Sequence, residues 1–194
     1  MATRFITRGD SSSASLLNID TFTESIVIRV RREKRETMSI EEQNKVVIRQ
    51  MQTAAERDGF AAQAEFFAER CFNHGEPVTR EMIRGILHDI QTTFPDAKLE
   101  LINLVAEGDW VVGRYTLSGT HQGVGLHPFV HEGLLTGVPP TGKKIKVQHI
   151  HMFRLQDGQI VEHWACRDDV DMMRQLGLPL SIAQPQLAAY SGLI

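Results

Sequence analysis

From Ser39 to Pro95 the apolar residues recur every third or fourth position, and beyond Pro95 they recur at every second. Ile40, Val47, Met51 and Ala54/Ala55 predict a helix from Ser39 to about Arg57, opened by the capping box Ser39-x-x-Glu42 and ended by Gly59. Ala64, Phe67 and Ala68 share one face of Phe60 to Glu69, which predicts a second, shorter helix followed by a turn over Cys71 to Gly75. Thr79 offers an N-cap to Met82, Ile83, Ile86, Leu87 and Ile90, and Pro95 closes this third helix. The alternation of Leu99, Leu101 and Asn103 with Glu100, Ile102 and Leu104 then runs to Glu107-Gly108-Asp109, and Trp110 to Thr120 returns from it as a hairpin. Glycines and Pro139-Pro140 make 122–142 a long excursion. Lys144 to Leu155 and Gln159 to Asp168 flank Asp157-Gly158, a strong hairpin signal, and a last helix from Asp169 to Leu176 is stopped by Gly177 and Pro179.

Helices followed by antiparallel strands predict an α+β fold: three N-terminal helices packed on a strongly curved antiparallel sheet, with a short C-terminal helix. A cavity between helices and sheet is where a ligand is expected. Residues 1–37 stand apart, with serines from Ser11 to Ser15 and a basic run from Arg29 to Arg35. A transit peptide is opposed by Asp10, Asp20 and Glu24, so 1–37 is expected to be a disordered leader translated from a start upstream of Met38. The domain is then expected at 38–180 and a tail at 181–194.

Composition narrows the field further. A chain of 194 residues, 42% hydrophobic and 23% charged, fits one globular domain, and no apolar run approaches the ~18 residues of a membrane-spanning helix. A net charge of -3 gives no cationic excess for nucleic acid. The two cysteines, Cys71 and Cys166, lie far apart without CxxC spacing, which suits a reducing cytoplasm.

A two-residue Asp157-Gly158 loop fixes a register in which Gln156 faces Gln159, His151 faces Trp164, His149 faces Cys166 and Val147 faces Asp168. In that register His149, His151, Phe153, Trp164, Cys166 and Asp168 share one face, while Ile150, Met152, Arg154, Val161, His163 and Arg167 share the other. Asp168 lies diagonally next to His149, within reach of a proton relay. The plainer alternatives are that Asp168 or Asp169 caps the last helix and that the two histidines are hydrogen-bonded structural residues. His121, His127, His131, His149 and His151 fall in a short span but lack HExxH or tight Cys/His spacing, so no metal is expected. No G-x-S-x-G, GxGxxG or P-loop occurs, which removes the usual serine-hydrolase and nucleotide sites. Cys166 with His149 beside it offers a nucleophile only weakly, since a strand cysteine is more often inert packing.

Several short motifs nevertheless occur in a telling order: Phe72-Asn73-His74-Gly75, Phe94-Pro95-Asp96, Gly108 to Arg114, Gly119 to Gly123, Pro139 to Lys143, and Phe153-Arg154 through Asp157 to Ile160 and Glu162-His163-Trp164. With Asp168-Asp169 and Gln175-Leu176-Gly177, they resemble the SnoaL-like polyketide cyclases, or ester cyclases, of the nuclear-transport-factor-2-like superfamily, over Ser39 to Pro179. The resemblance implies a conical α+β fold, a pocket for a small hydrophobic substrate, and cofactor-free acid/base chemistry in an intramolecular aldol closure. It implies Asp168, in the W-x-x-x-D position, as acid/base, with His151 or His149 assisting. It places Asn73 and His74 as polar pocket residues, to which Trp164, Cys166, Phe153 and Arg114 are added as substrate contacts. An Asp168–Arg114 pair would lock the carboxylate in its charged form. The segment Gln122 to Val138 is longer than the link usual in that family, which points to a different pocket mouth. The leading expectation is a cyclase or isomerase; the rival is a non-catalytic binding or dimerisation module. A homodimer is expected through an outward sheet face carrying Ile150, Met152, Val161 and Ala165.

Overall fold

A computed structural model describes residues 38–126 and 134–179. The expected leader, the C-terminal tail and the middle of the 122–142 excursion, with His127 and His131, lie outside the described residues. All of the described chain except Met38 and Ser39 belongs to one unit, Ile40–Ile194.

Helix α1 (Ile40–Asp58) buries Val47, Ile48, Met51 and Ala55, the spacing of a single helical stripe. It lies across strands β3 (Lys98–Glu107) and β4 (Trp110–Thr120), where Ile48 and Met51 meet Val111 and Tyr115 in the core. Burial of each such side chain stabilises the fold by roughly 1.5–3 kcal/mol. Polar contacts fix the height of the helix: Asn44 Nδ2 donates to the Gly108 carbonyl at 3.4 Å, and Gln52 Nε2 donates to the Leu99 carbonyl. Helix α2 (Arg80–Thr93) starts where the sequence places it, with Thr79 Oγ1 accepting from the Met82 N–H at 3.3 Å.

The second predicted helix is different. Phe60–Phe66 forms a 3-10 helix, and the chain then runs as strand β1 (Phe67–Asn73), turns over His74-Gly75, and returns as β2 (Glu76–Thr79). Cys71, expected in the turn, is a buried strand residue. Local periodicity misreads this segment because β1 takes its conformation from a remote partner: it pairs in parallel with β6 (Gln159–Arg167). The two-residue turn holds His74 at φ 54 and Gly75 at φ 81, the positive φ values that a tight hairpin of this twist demands.

The six strands run in the order β2-β1-β6-β5-β4-β3, with β5 spanning Lys144–Gln156 and all neighbours antiparallel except β1 and β6. Helix α3 (Asp169–Leu176) closes the far end, packing Met172 and Leu176 against Ile145 and Val147. The β5–β6 hairpin begins in the expected register, Gln156 opposite Gln159 and Leu155 opposite Ile160, and then slips. Arg154 pairs with Glu162, so Val161 is an extra residue in β6. From there His163 faces Phe153, Ala165 faces His151 and Arg167 faces His149. The bulge therefore corrects the expected face: His163, Ala165 and Arg167 join the odd-numbered residues of β5 beneath the helices, and Trp164 and Cys166 turn outward opposite Met152 and Ile150. The outer face exposes Ile150 (46%), Met152 (40%) and Trp164 (40%), so Trp164 stands where Ala165 was expected.

Candidate functional site

A cavity of about 110 Å³ opens between α2, the 3-10 helix and the inner face of β4, β5 and β6. Its wall is mainly apolar, from Met51, Phe60, Phe67, Ile83, Leu87 and Leu99, and no Asp or Glu lines it among the described residues. Four histidines do: His74, His149, His151 and His163.

Three side chains form a hydrogen-bonded row. Asn73 Oδ1 accepts from His163 Nδ1 at 2.8 Å, and His163 Nε2 lies 2.9 Å from His151 Nδ1. Strand geometry sets this row up: β1 places Asn73 level with His163, the bulge turns His163 inward, and β5 carries His151 alongside. The two imidazoles lie edge to edge with centroids 5.2 Å apart and planes at 16°, as their in-line hydrogen bond requires, Phe153 stacks on His163 at 5.1 Å, and Tyr115 meets His151 edge-on at 5.1 Å. His74, held by its N–H to the His163 carbonyl at 2.9 Å, presents an edge to the His163 ring.

Burial pushes the His163 imidazole down to about 3, helped by the positive charge that His74 and Arg167 would place beside it. Burial, then His163, His149, Arg167 and His74, hold His151 well below its ordinary range. Both rings are neutral near neutral pH. Burial also raises the Tyr115 hydroxyl, which keeps it a proton-bearing donor. Within this cavity His151 Nε2, the Tyr115 hydroxyl and Gln63 Nε2 are buried without a hydrogen-bond partner among the described residues. Orphaned groups of this kind are rare in native interiors unless a ligand or water meets them.

Of the residues singled out in the sequence, Asn73, His74, His149, His151 and Phe153 line the cavity together. Four do not. Trp164 is exposed, donates from Nε1 to Glu162 Oε1 at 2.8 Å, and backs His74 at 5.8 Å. Cys166 is an exposed thiol on the outer face. Arg114 donates to Asn103 Oδ1 at 3.0 and 2.8 Å on the surface, away from Asp168. Asp168 is exposed and caps α3, its Oδ1 accepting from the Asp171 N–H at 3.0 Å. Asp168→Asn keeps an oxygen for that bond and should leave the melting temperature nearly unchanged. Asp168→Ala should cost about 1 kcal/mol, or roughly 2–4 °C in a thermal melt for a chain of this size.

His163, Tyr115, Gln63 and Arg167, the last 3.5 Å from Asp169 Oδ2 through its Nε, are pocket residues that the sequence reading did not select. One legible signal pointed to two of them. The expected register sets Arg154 against Val161 and Phe153 against Glu162, whereas a slip of one residue creates the Arg154–Glu162 ion pair, seen at 2.8 Å. The same slip brings His163 and Arg167 inward. Among the described residues no group of three or more His, Cys, Asp or Glu is arranged to hold a metal ion. No helix among them is long and apolar enough to cross a membrane.

An α+β fold with helices over one sheet face encloses an apolar cavity with unspent hydrogen-bonding groups, the form that small-molecule sites commonly take. The chain belongs to the SnoaL-like polyketide cyclase family, whose model matches residues 45–176. It is similar to nogalonic acid methyl ester cyclase of Streptomyces nogalater, with 32% identity over 91 residues, covering 46% of this chain and 60% of the relative. It is also similar to aklanonic acid methyl ester cyclase DnrD of Streptomyces peucetius, with 34% identity over 84 residues, 43% of this chain and 51% of that one. The chain thus spans little more than half the length of these curated relatives. Among solved structures, IdmH from Streptomyces antibioticus superposes with a TM-score of 0.55 at 30% identity, covering 70% of this chain and 99% of that one. TsrD from Streptomyces laurentii gives 0.57 at 26% identity, with 69% and 97% covered.

Proposed function

We propose that the protein is a cofactor-independent acid/base enzyme closing a ring by intramolecular aldol addition in a small hydrophobic polyketide, with His151 as the acid/base group. The observation that carries this is the set of unspent groups in one mainly apolar cavity: an acceptor at His151 Nε2 and donors at the Tyr115 hydroxyl and Gln63 Nε2. A carbonyl with an acidic hydrogen beside it meets all three. His151 Nε2 takes the proton α to the carbonyl, and Tyr115 and Gln63 donate to the enolate oxygen as charge develops there. The enolate carbon attacks a second carbonyl of the same molecule, a carbon–carbon bond forms, and the imidazolium returns its proton to the new alkoxide. His149 and His74 shape the pocket around the row, and the charge of Arg167 favours the enolate over the neutral ketone.

Names of the relatives supply the first compound to try. Incubated with nogalonic acid methyl ester in buffer containing a chelator, the protein is expected to convert it to a product of equal mass and different chromatographic retention. Binding of the compound without conversion would turn the reading to a non-catalytic ligand-binding module.

A homodimer through the outer sheet face fits the exposed Ile150, Met152 and Trp164, since an apolar strip of this kind on one face usually marks an interface. Light scattering at micromolar concentration is expected to give twice the chain mass, and Met152→Glu to give the monomer; a monomeric parent protein would remove the proposal. The two free thiols keep a cytoplasmic setting as part of this reading.

A further inference from the structure

A histidine can serve as a base only through the nitrogen that carries no proton, and something must decide which one that is. At His151 the decision is made two residues away. The Asn73 Oδ1 atom is an acceptor only, so the nitrogen facing it, His163 Nδ1, must carry a proton. In a neutral ring the other nitrogen, His163 Nε2, is then bare. His151 Nδ1 faces that bare nitrogen at 2.9 Å and must donate to it, which leaves His151 Nε2 bare in its turn. That atom is the one buried without a partner among the described residues.

We propose that Asn73 and His163 are positioning residues that set the tautomer of His151, the amide oxygen of Asn73 fixing His163 and His163 fixing His151, so that Nε2 is held as the proton acceptor. Apart from protonation of His151 Nε2 itself, as in the reaction, the row has one other self-consistent state: were His163 doubly protonated, its Nε2–H would donate to His151 Nδ1 and His151 would present a proton to the cavity instead. The surroundings oppose that state. His74, His149 and Arg167, the last paired with Asp169, are the titratable or charged groups near the two rings, Tyr115 is a neutral phenol, and among the described residues no carboxylate lines the cavity to balance an imidazolium. An amide at position 73, in place of a carboxylate, therefore has a physical reason: an aspartate there would stabilise the charged His163 and reverse the row. The strained αL backbone of His74, at φ 54, follows directly on Asn73 and fixes the turn from which the amide reaches His163.

This inference rests on the proposed function for its catalytic meaning, but the tautomer itself can be measured without turnover. With histidines labelled by a heavy nitrogen isotope, magnetic resonance at about pH 7 is expected to show His151 and His163 both protonated at Nδ1 and bare at Nε2. A proton on His151 Nε2, or a doubly protonated His163, would overturn the proposal outright, and this result needs only the parent protein. In Asn73→Leu both rings are expected to lose the single tautomer and populate the Nε2–H form; an unchanged His151 would remove Asn73 from the row. If the parent turns over nogalonic acid methyl ester, Asn73→Leu should lower kcat about tenfold or more with KM nearly unchanged, because orientation of the base is lost and ligand contacts are kept. The expected tautomers in a protein that turns over nothing would sink the cyclase reading and leave this one standing.

Discussion

His151→Gln is expected to lower turnover of a cyclisable polyketide ester by ~10²- to 10⁴-fold, equivalent to roughly 3 to 5 kcal/mol of barrier, while ligand affinity changes little. Glutamine fills most of the space of an imidazole and can still hydrogen-bond to His163 Nε2, so the packing against Tyr115 and Phe153 is largely kept. What it lacks is a nitrogen that can accept a proton. Asp168→Asn provides the comparison, because its side chain sits at the exposed cap of α3, whereas the expected hairpin register and the family resemblance gave it the acid/base role. Turnover within about twofold of the parent for Asp168→Asn, beside a large loss for His151→Gln, would place the chemistry in the histidine row. The reverse pattern would return it to the aspartate. Kinetics on both purified variants with the same ester decide between them.

Acidification should destabilise the fold well above the range where carboxylates protonate. His151 and His163 are held below their ordinary value in the folded protein first by burial, and then by the charge that His163, His149, Arg167 and His74 would place beside His151 and that His74 and Arg167 would place beside His163. The unfolded chain takes up these protons near pH 6.5, and the folded chain does not until about 3 at His163. Unfolded molecules therefore bind more protons throughout that window, so stability is fully present above it and falls as pH drops through it. Each histidine contributes a slope of up to about 1.4 kcal/mol per pH unit, so the pair lowers the melting temperature by roughly 5 to 11 °C between pH 6 and 5. The carboxylates held low by their partners, such as Asp96 by Thr120 and Glu162 by Trp164 and Arg154, lose their contribution only at more acidic pH. His121, lowered by its own burial, adds to the slope and persists in variants of the row. Melting curves at pH 7, 6 and 5 should show the fall, and His163→Gln should flatten it; a parent protein equally stable at all three would contradict the neutral row.

Most of the architecture was legible because it is local. The stripes of α1 and α2, the Thr79 cap and the Asp157-Gly158 turn each follow from residues a few positions apart. Strand β1 was not, because Phe67 and Asn73 are extended by pairing with Ile160 and His163, about ninety residues further on. The site was half legible for the same reason. His149, His151 and Phe153 were found from the alternation of β5, Asn73 and His74 only through the family resemblance, and each lines the cavity. The β6 half was assigned with the wrong parity, since alternation carries every side chain to the opposite face once a single residue is added to a strand. Within the hairpin the attraction between Arg154 and Glu162 favours the observed register, and the bond from His163 to Asn73 on the remote strand β1 adds to it.

The extra residue at Val161 also means that β6 stores two pockets in one stretch of sequence, interleaved like two messages written on alternate lines. With the bulge, the strand offers the cavity His163, Ala165 and Arg167. Without it, the same strand would offer Trp164, Cys166 and Asp168, an indole, a thiol and a carboxylate. Deleting Val161 would leave that choice unchanged, because Arg154 would still face Glu162 and Phe153 would still face His163; only a slip of the intact strand by one residue exchanges the chemical character of the wall. The composition of the wall is thus held by pairing and not by residue count, so a substitution that weakens the Arg154–Glu162 pair acts on the cavity from the opposite face of the sheet.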